Sequence, residues 1–417
     1  MSLRRDTVAA TLVQVLGLAS SMSVFLLFRL RLGIPEYGVY SALQGIVYVV
    51  VLLSTSWVSP LILQMSFRDK LTRPEILRRT LTLSILMAIA GAVALVGLSL
   101  VLLPGRSLVL IGLLFLAEIV TQLLVGAAAA FLQVSEGFVA ASVMRGVPMA
   151  VRLGVCAMLL ATDGNFRGFV YLLAASMGAV AVGTLVFAWL RIRSLPSFDQ
   201  PERADVTSGL SYASSSVLYA IQDDFDKVLM SRSRPELEAG QYATGYRVYQ
   251  MLLYPVTALI AATHTRLLEA ADAPAATYRT ARRFAGLAVA YTAAVAAGGL
   301  ALAGPLADLI KSDAEMLRVL CFIGLAKSAA DFALNSLIGL GRNWIRTMLV
   351  AIAAGFNLVG NLVFIPHFGW QAAAVTTIVS DGLLTVAAWL FLRHFMARTA
   401  PSATGQRGDP DLGSVDR

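Results

Sequence analysis

Residues 208–269 read SGLSYASSSVLYAIQDDFDKVLMSRSRPELEAGQYATGYRVYQMLLYPVTALIAATHTRLLE. An apolar helix rich in small residues leads into a charged cluster, and a short polar turn is followed by Gly240-Gln-Tyr242 and a second apolar helix. The N-terminal region has the same layout, with Gly38-Val-Tyr40 at the corresponding place about two hundred residues earlier. Such internal self-similarity predicts that one helical unit occurs twice in the fold.

The composition is typical of a membrane protein. Hydrophobic residues make up 58% of the chain and charged residues 14%, whereas a soluble domain carries roughly 25% charged residues. Apolar runs of about twenty residues, the length that crosses a bilayer as a helix, recur along the chain. We therefore interpret the net charge of +8 as a signal of membrane topology and expect no nucleic-acid partner.

Twelve spans are predicted, in two pseudo-symmetric six-helix bundles around a central cavity. The first six cover 8–30, 39–63, 81–103, 108–132, 139–162 and 168–190, and the second six cover 209–230, 241–262, 284–310, 316–337, 348–365 and 372–392. The fold class is thus an all-α polytopic membrane protein. Its predicted parts are an N-terminal bundle over 1–190, a cytoplasmic linker over 191–207, a C-terminal bundle over 208–397 and a disordered cytoplasmic tail over 398–417.

Lysine and arginine are distributed unequally between the two sides of the predicted membrane. Twenty lie in the loops and termini on one side and six on the other. Because loops rich in Lys and Arg remain in the cytoplasm, both termini are predicted to be cytoplasmic. An even number of spans agrees with this orientation.

Charged side chains within a span are costly and indicate a functional site. Five lie near the middle of their spans: Glu118, Arg152, Lys327, Asp331 and Asp381. Seven lie nearer the ends of their spans: Arg29, Arg145, Arg247, Asp223, Asp224, Asp226 and Lys227. Because lipid cannot satisfy these groups, we expect them to face protein or a water-filled cavity.

The spacing of these residues suggests roles for them. Arg145 and Arg152 are two helical turns apart, so they share one face of the fifth span. A basic cavity attracts an anion such as a diphosphate, whose oxygens fit the planar guanidinium group. The predicted substrate-binding residues are Arg145, Arg152, Arg29, Arg247 and Lys327. The predicted ion-coupling residues are Glu118, Asp331 and Asp381, because a buried carboxyl group holds a proton readily. The cluster of Asp223, Asp224, Asp226 and Lys227 is left without a predicted role.

Structural alternatives compete with these functional roles. Arg29 and Arg247 could extend their side chains to the nearest membrane interface. Lys327 and Asp331 could neutralise each other as an i,i+4 pair. The structural alternative is weakest for Arg152, which lies deep in its span with no acidic residue one turn away.

Three segments carry a resemblance to a known family: RLGIPEYGVYSAL at 31–43, GQYATGYRVYQMLLYP at 240–255 and FNLVGNLVFIPHFGWQAAAVTTIVSD at 356–381. With the twelve-span layout, they resemble the bacterial oligosaccharide and polysaccharide flippases, such as the O-antigen flippases, of the multidrug/oligosaccharidyl-lipid/polysaccharide exporter superfamily. The resemblance covers nearly the whole chain except the tail. The charged cluster at 223–227 is denser than that family would imply, and the two further helices of lipid II flippases are missing.

The resemblance implies transport of an undecaprenyl-diphosphate-linked oligosaccharide from the cytoplasmic to the periplasmic leaflet of the bacterial inner membrane. This step serves the synthesis of cell-surface polysaccharide, including lipopolysaccharide. The two bundles would alternate access around a central cationic cavity. The implied partners are the lipid-linked oligosaccharide, membrane lipid and, in the assembly machinery, a polysaccharide polymerase and glycosyltransferases.

Two alternatives belong to other functional classes. A membrane transferase or polymerase acting on polyprenyl-phosphate sugars would use Asp223, Asp224 and Asp226 to chelate Mg²⁺, but the sequence has no nucleotide-binding glycine motif and no large outer loop. A drug or cation antiporter of the same superfamily would have the same number of helices, but 8–30 lacks the acidic residue expected in the first helix. We therefore expect a transporter without enzymatic activity, catalytic residues, cofactor or metal site.

Overall fold

The computed structural model describes residues 3–67, 72–162, 164–192, 203–257, 259–260, 263, 274–340 and 342–399. In the N-terminal half the helices are α1 (Leu3–Leu27), α2 (Ile34–Thr55), α3 (Val58–Phe67), α4 (Arg73–Leu102), α5 (Leu108–Val120), α6 (Gly126–Ser135), α7 (Phe138–Ala161) and α8 (Phe166–Ile192). In the C-terminal half they are α9 (Arg203–Ser233), α10 (Glu236–Leu252), α11 (Pro274–Ile310), α12 (Ala314–Leu320), α13 (Ile323–Lys327), α14 (Ala330–Gly339), α15 (Asn343–Phe368) and α16 (Trp370–Thr399). The tail beyond 399 and most of the predicted linker lie outside the described residues.

The all-α membrane fold is confirmed. Within the described ranges, nine helical segments are long and apolar enough to cross a bilayer. They correspond to predicted spans one to six, nine, eleven and twelve. The helices of predicted spans eight and ten are shorter than 18 residues, because α10 has 17 and the tenth span is divided into three pieces. The helix of span seven, α9, carries four charged residues between Asp223 and Lys227. Charged groups at this depth are tolerated where protein covers them. The arrangement of twelve spans in two bundles is consistent with this structure and stays a prediction.

The tenth predicted span is not one continuous helix. It is divided into α12, α13 and α14 by turns at 321–322 and 328–329. Side chains of α16 bind carbonyl groups beside the second break: Thr385 donates to the Ala326 oxygen at 2.5 Å and Trp389 to the Ala329 oxygen at 3.1 Å. These bonds replace partners that a continuous helix would supply. The tenth predicted span, 316–337, is thus helical but interrupted at two points.

The two halves meet through α2, which packs along α9 and against α10. The repeat-related glycines Gly38 and Gly240 face each other across this interface. A Cβ atom on Gly38 would lie 2.6 Å from the Gly240 nitrogen, and a Cβ atom on Gly240 would overlap the carbonyl oxygen of Ile34. Only glycine permits the helix backbones to approach so closely. We call this end of the structure, where Gly38 meets Gly240, the glycine end.

An aromatic cluster fixes the start of α2. A π-helical turn, Phe28–Leu32, follows α1 and ends at Gly33, whose φ of 106° favours glycine. The buried Phe28 ring stacks on Tyr40 with 5.1 Å between ring centroids, and Phe169 of α8 packs edge-on against both rings at 5.6 Å. This packing holds Tyr40 in a defined position beside the interface between the halves.

Candidate substrate site between the two halves

The N-terminal half contributes an ion pair to the site. Arg152 on α7 donates through Nη2 to Glu118 Oε1 on α5, and Gln44 on α2 donates to the same oxygen at 3.2 Å. The Glu118 side chain is 5% exposed and the Arg152 side chain 25%. Glu118 therefore neutralises part of the Arg152 charge, and Arg152 Nε is buried without a hydrogen-bond partner among the described residues. The residues around Arg152 in the sequence did not indicate Glu118 as its partner, because Glu118 lies on another helix.

The C-terminal half brings Arg247 to the same region. Arg247 on α10 donates to Gln250 at 3.1 Å and lies within electrostatic range of Tyr37 and Tyr40. Tyr40 has both Arg152 and Arg247 among its charged neighbours. Two of the predicted substrate-binding arginines, one from each half, thus lie within electrostatic range of the same buried tyrosine.

The other two predicted arginines lie elsewhere. Arg145 is two turns from Arg152 on α7 and donates to Gln133 on α6 at 3.2 Å. Arg29 lies near the glycine end, where its Nε and Nη2 donate to the carbonyl oxygen of Leu309 in the last turn of α11 at 2.9 and 2.7 Å. Arg29 thus links the two halves, because a cation at a helix C-terminus satisfies a free carbonyl group and the helix dipole.

The charged cluster on α9 surrounds one ammonium group. Lys227 Nζ lies 3.2 Å from carboxylate oxygens of both Asp224 and Asp226, and it donates to the backbone oxygen of Asp223. It also lies 3.7 Å from the centroid of the Tyr246 ring, close enough for a cation–π interaction. Lys227 and Asp226 are buried. These contacts offset part of the negative charge of the cluster.

Lys327 connects this cluster to the remaining acids. It ends α13 and forms its ion pair with Asp223 on α9, so the alternative in which Lys327 pairs with Asp331 is wrong. Asp331 and Asp381 both lie within electrostatic range of Lys327. Asp381 accepts a hydrogen bond of 2.5 Å from Gln222 on α9. Two of the predicted ion-coupling residues are thus brought together here, whereas Glu118 lies in the other half.

The charged cluster of the C-terminal half contains more acidic than basic residues, although the sequence predicted a basic cavity. Its members are Asp223, Asp224, Asp226, Asp331, Asp381, Lys227 and Lys327. Because both lysines bind aspartates, the exposed cationic part of the site is supplied mainly by arginine. The three carboxylates that the enzyme alternative would assign to Mg²⁺ contact ammonium groups instead. The described residues contain no group of three or more His, Cys, Asp or Glu arranged for a metal ion.

Uncharged partners of these groups were missed in the sequence. Gln44 and Gln222 bind the two buried carboxylates of Glu118 and Asp381, and nothing in their local pattern distinguishes them. Tyr242 donates to Asp226 at 2.5 Å. For Tyr242 a signal existed, because it is the repeat partner of Tyr40. In each copy of the Gly-x-Tyr motif, the glycine packs between the halves and the tyrosine reaches a charged cluster.

The asparagines of the third resemblance segment hold two helices together. Asn357 on α15 donates to Thr377 and Ser380 on α16 at 3.3 and 3.2 Å, and Asn361 donates to Asn357 at 2.8 Å. Both asparagines are buried. Interhelical hydrogen bonds of this kind are a common device in membrane helix packing, and they support a structural role for this pair.

We expect the ion pair at the glycine end to contribute little to stability. Arg106 binds Glu236 across the two halves at 2.5 Å, but the two side chains are 32% and 49% exposed. Exposed pairs contribute roughly 0–1 kcal/mol, so Arg106→Ala should lower the melting temperature in detergent by no more than a degree or two. Glu236→Ala is the matched control and should behave alike. A large loss in either variant would contradict this expectation.

Comparisons with known proteins give a clear result for the fold and a limited one for the sequence. No family model matches the chain. Over 85 residues, 20% of this chain, it is 33% identical to an uncharacterised membrane protein of Methanocaldococcus jannaschii, and the match spans 16% of that protein. Among solved structures, an inward-facing multidrug resistance MATE family transporter of the MOP superfamily superposes with a TM-score of 0.67 at 16% identity, over 95% of this chain and 96% of that chain. The fold is that of a MATE transporter.

Other MATE structures support the same conclusion. An outward-facing MATE family transporter of the MOP superfamily has a TM-score of 0.59 at 14% identity, covering 94% of each chain. A MOP superfamily transporter from Pyrococcus furiosus, described as having a binding pocket of reverse polarity, has a TM-score of 0.63 at 14% identity over 94% of each chain. These structures thus share the fold of this chain.

Proposed function

We propose that this protein is a flippase that moves an undecaprenyl-diphosphate-linked oligosaccharide from the cytoplasmic to the periplasmic leaflet of a bacterial inner membrane. One observation carries the proposal of an anionic substrate: Arg152 and Arg247, from opposite halves, both lie within electrostatic range of Tyr40. Guanidinium groups bind phosphate oxygens through paired hydrogen bonds. A site assembled from both halves changes its access when the halves rearrange.

We infer that this conformation has access to the cytoplasm. The halves are in contact at the glycine end, which the Lys and Arg distribution predicts to be periplasmic. The higher similarity to an inward-facing MATE transporter, with a TM-score of 0.67 against 0.59 for an outward-facing one, supports this assignment. Arg145 lies toward the cytoplasm from Arg152 and would meet the diphosphate first.

Binding would be coupled to a change of ion pairs. A diphosphate that reaches Arg152 competes with Glu118 for the same guanidinium group. Glu118 is then left buried without its cation, which is costly unless the carboxylate takes up a proton or the helices move. The proposed substrate therefore alters the balance of charge between the halves when it binds.

Leaflet exchange in proteoliposomes tests this proposal. The probe is a polyprenyl-diphosphate disaccharide that carries a fluorescent group on the sugar, and an impermeant reductant quenches the label in the outer leaflet. We expect the purified protein to make nearly all of the label accessible, whereas protein-free vesicles expose about half. Equal quenching in both samples would contradict the proposal.

A second candidate function is export of a cationic drug. The observation in its favour is the acidic C-terminal cluster, where Asp224 is 26% exposed and Asp223 is 28% exposed. Solved structures with this fold include a multidrug resistance transporter. Ethidium release from the same vesicles under a pH gradient distinguishes the two candidates. Ethidium transport without movement of the lipid-linked sugar would establish the drug exporter.

A further inference from the structure

A buried amide–carboxyl pair joins α9 and α16. Gln222 Nε2 donates to Asp381 Oδ1 at 2.5 Å. The two residues are 2% and 1% exposed. Each side chain has a second oxygen, Gln222 Oε1 and Asp381 Oδ2, and within the described part of the chain both are buried without a hydrogen-bond partner.

Both oxygens are acceptors that lack a hydrogen-bond donor, and one proton between them would satisfy both. Burying an acceptor without a partner is unfavourable, and burying a carboxylate with a single hydrogen bond is more unfavourable still. Two acceptors cannot bind each other. A proton on Asp381 Oδ2 would make that oxygen a donor, and Gln222, whose Nε2 already binds Oδ1, carries the acceptor Oε1. A single proton would thus give both oxygens a partner, in the paired arrangement of an amide with a carboxylic acid.

Three charged groups lie within electrostatic range of Asp381. They are Asp223 on α9, Lys327 on α13 and Asp331 on α14, with Tyr246 and Tyr249 on α10 as further titratable neighbours. Lys327 is bound by Asp223, so its ammonium group is already engaged. Two other carboxylates in range disfavour a third negative charge.

We propose that Asp381 is a proton site of the C-terminal half, with the proton on Oδ2 and Gln222 Oε1 as its acceptor in this conformation. Separation of α9 from α16 would remove the acceptor and release the proton. The proton site stands on the contacts of Asp381 and Gln222, and only its use as the coupling step rests on the proposed transport function. For the predicted ion-coupling role of Asp381, this proposal names the residue that accepts the proton, Gln222, and the oxygen that carries it, Oδ2.

Infrared spectroscopy of the purified full-length protein tests the proton site without any substrate. At neutral pH we expect a carbonyl band of a protonated carboxylic acid that shifts in heavy water. Asp381→Asn should remove this band and Glu118→Gln should retain it. Gln222→Leu should shift or remove it, because the acceptor is lost. If the wild-type protein lacks the band, or if Asp381→Asn leaves it unchanged, the proposal is overturned.

Stability measurements separate a proton from a bound cation. In Asp381→Asn the amide group can donate to Gln222 Oε1, so we expect a melting temperature within about two degrees of the wild type. Asp381→Leu has no donor and should melt several degrees lower. A rise in melting temperature with Na⁺ against choline that Asp381→Asn abolishes would assign a metal cation instead and overturn the proposal. Failure of lipid-linked sugar transport with the infrared band intact would count against the flippase proposal alone.

Discussion

Arg152→Gln is expected to abolish transport and to destabilise the protein. The substitution leaves Glu118, whose side chain is 5% exposed, without its cation. Removing one partner of a buried ion pair costs about 3–5 kcal/mol, and we expect a value near the lower end because a quarter of the Arg152 side chain is exposed. The melting temperature in detergent measures the loss of stability, and quenching of the labelled sugar lipid measures transport.

The double variant Glu118→Gln with Arg152→Gln separates the two roles of Arg152. It replaces the ion pair by neutral amides that can bind each other, so most of the stability should return. Transport should stay absent, because the guanidinium group that binds the diphosphate is missing. Arg152→Lys keeps the charge without the planar fork and should transport weakly. Wild-type transport by the double variant would show that Arg152 serves only the fold.

Gly240→Ala is expected to prevent closure of the glycine end. The added Cβ would overlap the carbonyl oxygen of Ile34, a backbone atom that cannot turn aside. The halves must separate by a few tenths of an ångström or more, so this conformation loses population and transport falls at least tenfold. Spin labels at two exposed positions beside this end, Arg167 in one half and Glu315 in the other, should report a longer mean separation.

A matched glycine provides the control for this variant. Gly355 lies on an exposed face of α15, and a Cβ added there meets no atom within 4 Å. Gly355→Ala should leave the label separation unchanged and should stabilise the helix slightly, because alanine loses less backbone entropy than glycine. If both variants shift the separation alike, the contact between Gly38 and Gly240 does not hold the halves together.

The sequence predicted the parts of the fold that depend on composition and on local pattern. Spans such as 108–132 and 372–392 were recognised because lipid requires long apolar helices. The interruptions of the tenth span, 316–337, were not predicted. The breaks at 321–322 and 328–329 depend on side chains of α16 that bind the freed carbonyl groups, and this is a long-range contact. The sequence pattern therefore predicted one continuous span through Lys327 and Asp331, where the structure has three short helices.

Charge partners were the least predictable part of the candidate site. The sequence marked Arg152, Glu118, Lys327 and Asp223 as unusual because burial of any charge in a membrane is costly. Which cation would meet which carboxylate could not be predicted, because Arg152 and Glu118 are 34 residues apart and Lys327 and Asp223 are 104 residues apart. The charge of the predicted basic cavity depends on the same contacts, since each pairing removes charge from the lining.

The internal repeat shows most clearly what each level determined. The sequence by itself determined that a Gly-x-Tyr motif occurs twice, that the chain resides in a membrane and that charges are buried there, because these features need only local pattern and the cost of polar groups in lipid. The tertiary structure decided that Gly38 touches Gly240, and that Tyr40 and Tyr242 reach the charged clusters of the two halves. Contacts between distant segments depend on how helices pack, and packing is a property of the assembled bundle.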